Sequence, residues 1–168
     1  EHPVEKMKEL TQGIGVLRAI DAVGVDAYRP ESGPAYAESR AMKSQFKEEQ
    51  KEVLLEGSGA TWGGRWVPGD APSQVVTWAV QALAKAGTLS IIGVYPEAMT
   101  RFPIGGAMMK NLTIQMGNCP HRKYVPRLID AVLEGKADPL KVLTEVESMT
   151  DVIEAYNAFD KRKSGWVK

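Results

Sequence analysis

One cysteine and two histidines among 168 residues leave little material for two common kinds of chemistry. Cys119 alone forms no intramolecular disulfide, and with only His2 and His121 beside it the chain has no self-contained cysteine-rich zinc cage. Cys119 and His121 stand two apart in "GNCPHRKY", a spacing that suits a pair of ordinary loop residues better than a metal site. Long apolar runs are lacking too. None approaches the roughly 20 residues that a bilayer demands, and no basic start followed by an apolar stretch marks a signal peptide, so a cytoplasmic protein without a membrane partner is expected. Charge of one sign is also missing: Lys plus Arg equals Asp plus Glu at 21 each. No broad field attracts a phosphate backbone, so nucleic acid is not expected as a partner. The basic cluster "DKRKSGWVK" is local and reads as a solvated helix end.

An initiator methionine is absent as well. The chain opens on "EHPVEKMKEL" and closes on "GWVK", where a strand begins after Gly165, so both ends read as cut and the chain as a fragment. Its length still suffices for one globular domain with a core.

What is present alternates between helix and strand. "PVEKMKELTQG" has a proline start, Val4, Met7 and Leu10 at helical spacing and Gly13 as a stop; "GVLRAIDAVG" then reads as a strand. Residues 25–72 are rich in charge, Gly and Pro, with a helical stretch near 35–55. They are too long for an ordinary α/β connection and read as an insertion, functional or disordered. "PSQVVTWAVQALAKAG" predicts a helix with Ser73 as N-cap, Val76, Ala79, Val80 and Leu83 on one face and Gly87 as its stop. The strand "TLSIIGV", a short helix or turn "FPIGGAMMKN" and the strand "NLTIQMGN" follow. "RKYVPRLIDAVLEGKADP" predicts a helix with Val125, Leu128, Ile129 and Val132 inward and Gly135 as its stop. "LKVLTEVESM" reads as a strand leading to a Ser148-capped helix that buries Val152, Ile153, Tyr156 and Phe159.

This order predicts an α/β fold with helices on the faces of a parallel sheet. Three strands end near glycine, at Gly24, Gly93 and Gly117. Ligands of open parallel sheets lie across the carboxyl ends of strands, where a side chain would hinder backbone approach. Arg122 and Lys123, between the third strand and a helix, are placed to meet a phosphate or carboxylate, or else are exposed loop cations. "SGATWGGRWVPG" lacks the Lys-Ser/Thr pair and the setting of a phosphate loop.

The segments "GVLRAIDAVG", "AGTLSIIGVYP", "NLTIQMGN" and "EGKADPLKVLTEVESMTDVIEAYNAFDKRKSGWVK" resemble, in order and spacing, the C-terminal half of a zinc-dependent medium-chain alcohol dehydrogenase. The resemblance covers nearly all of the chain apart from the insertion. That insertion is similar to the one in the branch of glutathione-independent formaldehyde dehydrogenase, where it lies as a flap over the adenine side of NAD and would involve residues near Trp62 to Trp66. The resemblance implies an incomplete Rossmann-like parallel sheet over residues 1–134, with 25–72 inserted, and a segment 135–168 returning to a catalytic domain that the chain lacks. It implies NAD or NADP as cofactor, NAD being favoured, with zinc in the parent protein and a small alcohol or aldehyde as substrate.

Carried across residue by residue, Ala22, Val23 and Gly24 match the strand end near the adenosine, and Ile92, Gly93 and Val94 the strand end beside the nicotinamide. Ile114 and Met116 match positions that pack on the same ring, and Lys168 a basic position that meets the pyrophosphate. An apolar strand tip suits one face of a flat ring and a cation offsets diphosphate charge, although ordinary core at a strand end is an equally simple account of Ile92, Ile114 and Met116. Gly93→Val is then expected to weaken cofactor binding. The fingerprint G-x-G-x-x-G, the acidic residue that binds the adenosine ribose and the family's zinc ligands have no counterpart in these 168 residues. The chain by itself is therefore expected to be inactive, and no catalytic or metal-ligating residue is assigned in it. Residues 103–117 resemble the family's dimer-forming edge, so a homo-oligomer is expected, and a non-catalytic dimerisation module is the alternative function. A different cofactor domain, such as one for S-adenosylmethionine, shares glycine-tipped strands but not the ordered match through the last helix.

Overall fold

Three apolar segments pair in parallel. β1 (Val16–Asp21), β2 (Leu83–Ile91) and β3 (Thr113–Met116) form one sheet in the order β1-β2-β3. The structure, a computed structural model, describes residues 1–58, 67–161 and 163–165, the side chains of residues 55–58 excepted. Asp21, Ile91 and Met116 are register partners across the carboxyl end of the sheet. From Gly87 to Ile91 buried and half-buried residues alternate, as the period of two in a sheet requires.

α1 (Pro3–Leu10) starts at its proline and packs on α4 (Gln74–Ala82). The predicted face of α4 does turn inward. Val76 and Val80 are buried with Leu83, Leu89, Ile91 and Ala107, the last of these on α5 (Ile104–Met109), and Val16, Ala19, Phe102 and Ile114 pack against them. Each such aliphatic side chain contributes about 1.5–3 kcal/mol when fully removed from water.

Both predicted ends of α4 need correction. Ser73 makes no side-chain cap; its hydroxyl instead donates to Glu49, whose carboxylate accepts the Ser73 N–H. Gly87 is not the stop either, because the helix ends at Ala82 and Gly87 lies inside β2. Lys110 explains the early end: its ammonium donates to the carbonyls of Val80, Gln81 and Leu83 at 2.7–2.9 Å, which satisfies the acceptors a helix C-terminus leaves open. The register then shifts between Val16 and Arg18, where Leu83 and Thr88 are the successive partners.

Residues 25–72 hold α2 (Pro34–Ala41) and α3 (Lys43–Ser58), close to the predicted helical stretch. Among the described residues of this stretch, Val25, Ala27, Ala35, Phe46, Val53 and Ala71 are buried. The expected flap residues Trp62 to Trp66 lie outside the described residues.

The chain divides into two compact units, Glu1–Asn118 and Cys119–Lys168. The second contains α6 (His121–Leu133), 3₁₀ turns at Pro139–Val142 and Met149–Asp151, and α7 (Val152–Asp160). α6 stops just before Gly135, as the sequence indicates. The predicted strand at 140–149 is replaced by a 3₁₀ turn and irregular chain. A strand needs a neighbour for its N–H and C=O groups, and among the described residues this unit supplies none. The faces expected to be buried are corrected as well. Val125, Leu128, Ile129 and Val132, and Val152, Ile153, Tyr156 and Phe159, are on helices but exposed. Ser148 caps the 3₁₀ turn before α7, its hydroxyl accepting from Thr150 N, rather than the α-helix itself.

Candidate functional site at the carboxyl end of the sheet

Asp21 is the last residue of β1, and it is 1% exposed. One carboxylate oxygen accepts the N–H groups of Val23 and Gly24 at 2.9 and 3.0 Å, and the other accepts the Tyr95 hydroxyl at 2.6 Å. Its backbone carbonyl accepts the N–H groups of Ile92 and Gly93, each at 2.9 Å. A buried carboxylate is tolerated only when so completely bonded. Burial first, then the hydrogen bond to Asp21 and the charge of Asp21, push the Tyr95 phenol far above its ordinary range, so it stays a neutral donor. The two groups are engaged with each other and hold the tip rather than move protons.

This network lays the ends of β1 and β2 side by side. Val25 N donates to the Val94 carbonyl at 3.1 Å. Gly24 has φ +64°, and a Cβ there would overlap the Val94 backbone, while a Cβ on Gly93 would overlap the backbone of Gly24. These glycines therefore approach each other. That corrects the expected meaning of Gly93→Val, which would break the contact between the two strand ends and test the fold before any cofactor.

The remaining predicted residues separate clearly. Ala22, Val23, Ile92 and Val94 are exposed around the seam, Ile92 at 70% and Val94 at 73%. Met116, at the end of β3, is 70% exposed in the same register row. Ile114 is half-buried and packs against the core. Lys168 lies outside the described residues. Arg122 and Lys123 are exposed in the first turn of α6, with the Lys123 ammonium 5.5 Å from the Tyr124 ring centroid. Cys119 is exposed, and among the described residues no group of three or more His, Cys, Asp or Glu is placed to hold a metal.

Sequence reasoning missed Asp21 and Tyr95. The signal was present in "VLRAID": a carboxylate closing an otherwise apolar strand must find partners where the next strand ends. The exposed apolar side chains around a seam of paired backbone suit one face of a flat ring, at the place where parallel sheets receive ligands.

No family model matches the chain. Among curated proteins, a zinc-type alcohol dehydrogenase-like protein of Schizosaccharomyces pombe is 37% identical over 99 residues, covering 59% of this chain and 23% of that protein. AdhB of Bacillus subtilis, an uncharacterized zinc-type alcohol dehydrogenase-like protein, is 30% identical over 162 residues, 96% of this chain and 35% of that protein. Among solved structures, alcohol dehydrogenase TADH from Thermus sp. ATN1 matches 97% of this chain and 34% of its own, with TM-score 0.57 and 16% identity. Benzyl alcohol dehydrogenase from Acinetobacter calcoaceticus matches 98% and 32%, with TM-score 0.51 and 18% identity. These two likenesses concern the fold. The chain spans 23% and 35% of the length of the two curated relatives. The chain is thus similar in sequence to part of two zinc-type alcohol dehydrogenase-like proteins, and its fold is that of a part of solved alcohol dehydrogenases.

Proposed function

We propose that this chain is the cofactor-binding portion of a zinc-dependent NAD(P) alcohol or aldehyde dehydrogenase. One observation carries the reading: the joined tips of β1 and β2 present Val23, Ile92 and Val94 to solvent at the carboxyl end of a parallel sheet. When bound there, a nicotinamide would accept or return hydride. Ile92 and Val94 would cover one ring face and exclude water from it, while Ala22, Val23 and Gly24 would border the adenosine side. Asp21 and Tyr95 would keep these tips in register. The described residues contain no set of metal ligands, so no step is assigned to zinc here.

The test is a fluorescence titration of NADH into the full-length protein, unaltered and carrying Ile92→Asp or Val94→Asp. Both side chains are exposed, so the fold should tolerate the changes. A charge under the ring should raise the dissociation constant at least about tenfold, roughly 1.4 kcal/mol. Unchanged affinity in both variants would sink the assignment.

A second reading, a dimerisation module, is favoured by the edge position of β3. Ile104, Met108, Met109 and Met116, within residues 103–117, are exposed beside it.

A further inference from the structure

Glu49 lies in the insertion, on α3, and yet is fully buried at 0% exposure. Its carboxylate accepts the Gln45 side-chain amide at 2.7 Å, the Ser73 hydroxyl at 2.9 Å and the Ser73 N–H at 3.2 Å. Beside it stands Arg101, whose Nε is 3.7 Å from Glu49 and whose terminal nitrogen is 3.3 Å from Glu48. Arg101 belongs to the connection between β2 and α5, the connection that begins with Ile92, Gly93 and Val94. The near end of that connection is fastened to β1 through the Asp21 carbonyl and carboxylate. Its far end is fastened to the insertion.

The insertion also closes on the tip from its own two ends. Val25 N bonds the Val94 carbonyl, Gly69 N bonds the Val25 carbonyl at 3.0 Å, and Ala71 N bonds the Ala27 carbonyl at 3.0 Å. A wholly buried carboxylate on the helix of an insertion is costly unless its contacts fix something; here its hydrogen bonds join α3 to the start of α4, and Arg101, hydrogen-bonded to the adjacent Glu48 and 3.7 Å from Glu49, brings the β2–α5 connection to the same point.

We propose that Glu49, with Arg101, is a positioning residue: the insertion sets the placement of the strand tip Ile92–Val94 by anchoring the far end of its connection. The structural part of this inference is independent of the cofactor. Its functional consequence, a tip held ready for the nicotinamide, rests on the function proposed above.

Amide hydrogen exchange on the full chain decides it. Arg101→Ala leaves the other Glu49 bonds intact, and Glu49→Gln keeps the shape while removing the charge. In Arg101→Ala the amides of Val25, Ile92 and Gly93 should lose protection by about tenfold or more, while Leu89 and Ser90 within β2 keep theirs. Arg101→Lys should restore most of the loss. Unchanged protection at the three amides overturns the proposal, and so does an equal loss throughout β2, which would mean general destabilisation. An NADH titration of the same variants in the full-length protein reads the consequence: a raised dissociation constant is expected in Arg101→Ala and near-normal binding in Arg101→Lys. Failure of the unaltered protein to bind NADH would count against the cofactor reading alone, because the exchange result stands by itself.

Discussion

At the scale of single residues, the Tyr95 hydroxyl and the Asp21 carboxylate make the tip sensitive to base. The folded phenol ionises far above its ordinary value, because burial and the neighbouring carboxylate disfavour the phenolate. A raised folded value means that the contribution to stability is complete below about pH 10, the unfolded value, and declines as pH rises from there. Tyr95→Phe removes the hydrogen bond and leaves one Asp21 oxygen without its donor, which should cost about 1–2 kcal/mol near neutral pH. It also removes the titration. Urea denaturation of both forms at about pH 8 and about pH 11 should therefore show the gap narrowing at the higher pH, by about 1.4 kcal/mol per pH unit above 10. A gap that stays constant would mean that Tyr95 ionises as an ordinary phenol.

At the scale of elements, the end of α4 depends on a side chain 28 residues beyond it. The Lys110 ammonium holds three carbonyls there, and burial, with the charge of Lys8, pulls its pKa below the usual lysine value. Lys110→Met keeps the aliphatic stem and removes the donors, so the urea midpoint should fall by an amount equivalent to about 1–2 kcal/mol. An unmoved midpoint would show that water replaces the ammonium without loss. The same contact explains a limit of sequence reading. Local pattern revealed α1, β1, α4 and β3, because proline starts and apolar periodicity act within a few residues. It could not place the α4 end, since Gly87 was the visible local stop and Lys110 is distant. At residues 140–149 the alternating "LKVLTEVE" suggested a strand, but alternation only prepares a pair of faces, and pairing needs a neighbour. The candidate site divided in the same way. Ile92 and Val94 were named through the family resemblance, beside a strand that visibly ends at a glycine, whereas Asp21, Tyr95, Glu49 and Arg101 come together only where residues 25–72 and both strand ends meet.

At the scale of the whole molecule, both outer strands of the sheet are open among the described residues. β1 exposes Leu17 and Ile20, and β3 ends in exposed Met116, with α5 exposing Ile104, Met108 and Met109 nearby. Unpaired edges with apolar neighbours seek partners, and two copies joined through β3 would continue one sheet. A second copy at β3 therefore predicts concentration-dependent association. Light scattering over a dilution series should show a mass near twice that of the monomer at high concentration and the monomer on dilution. Met108→Lys combined with Met109→Lys places like charges on both sides of a two-fold contact, so it should shift the series towards the monomer without unfolding a helix on which both residues are exposed. A chain that stays monomeric at every concentration would remove the dimer reading. Association that the double substitution leaves unchanged would instead assign the contact to β1, where Leu17 and Ile20 lie on the opposite edge.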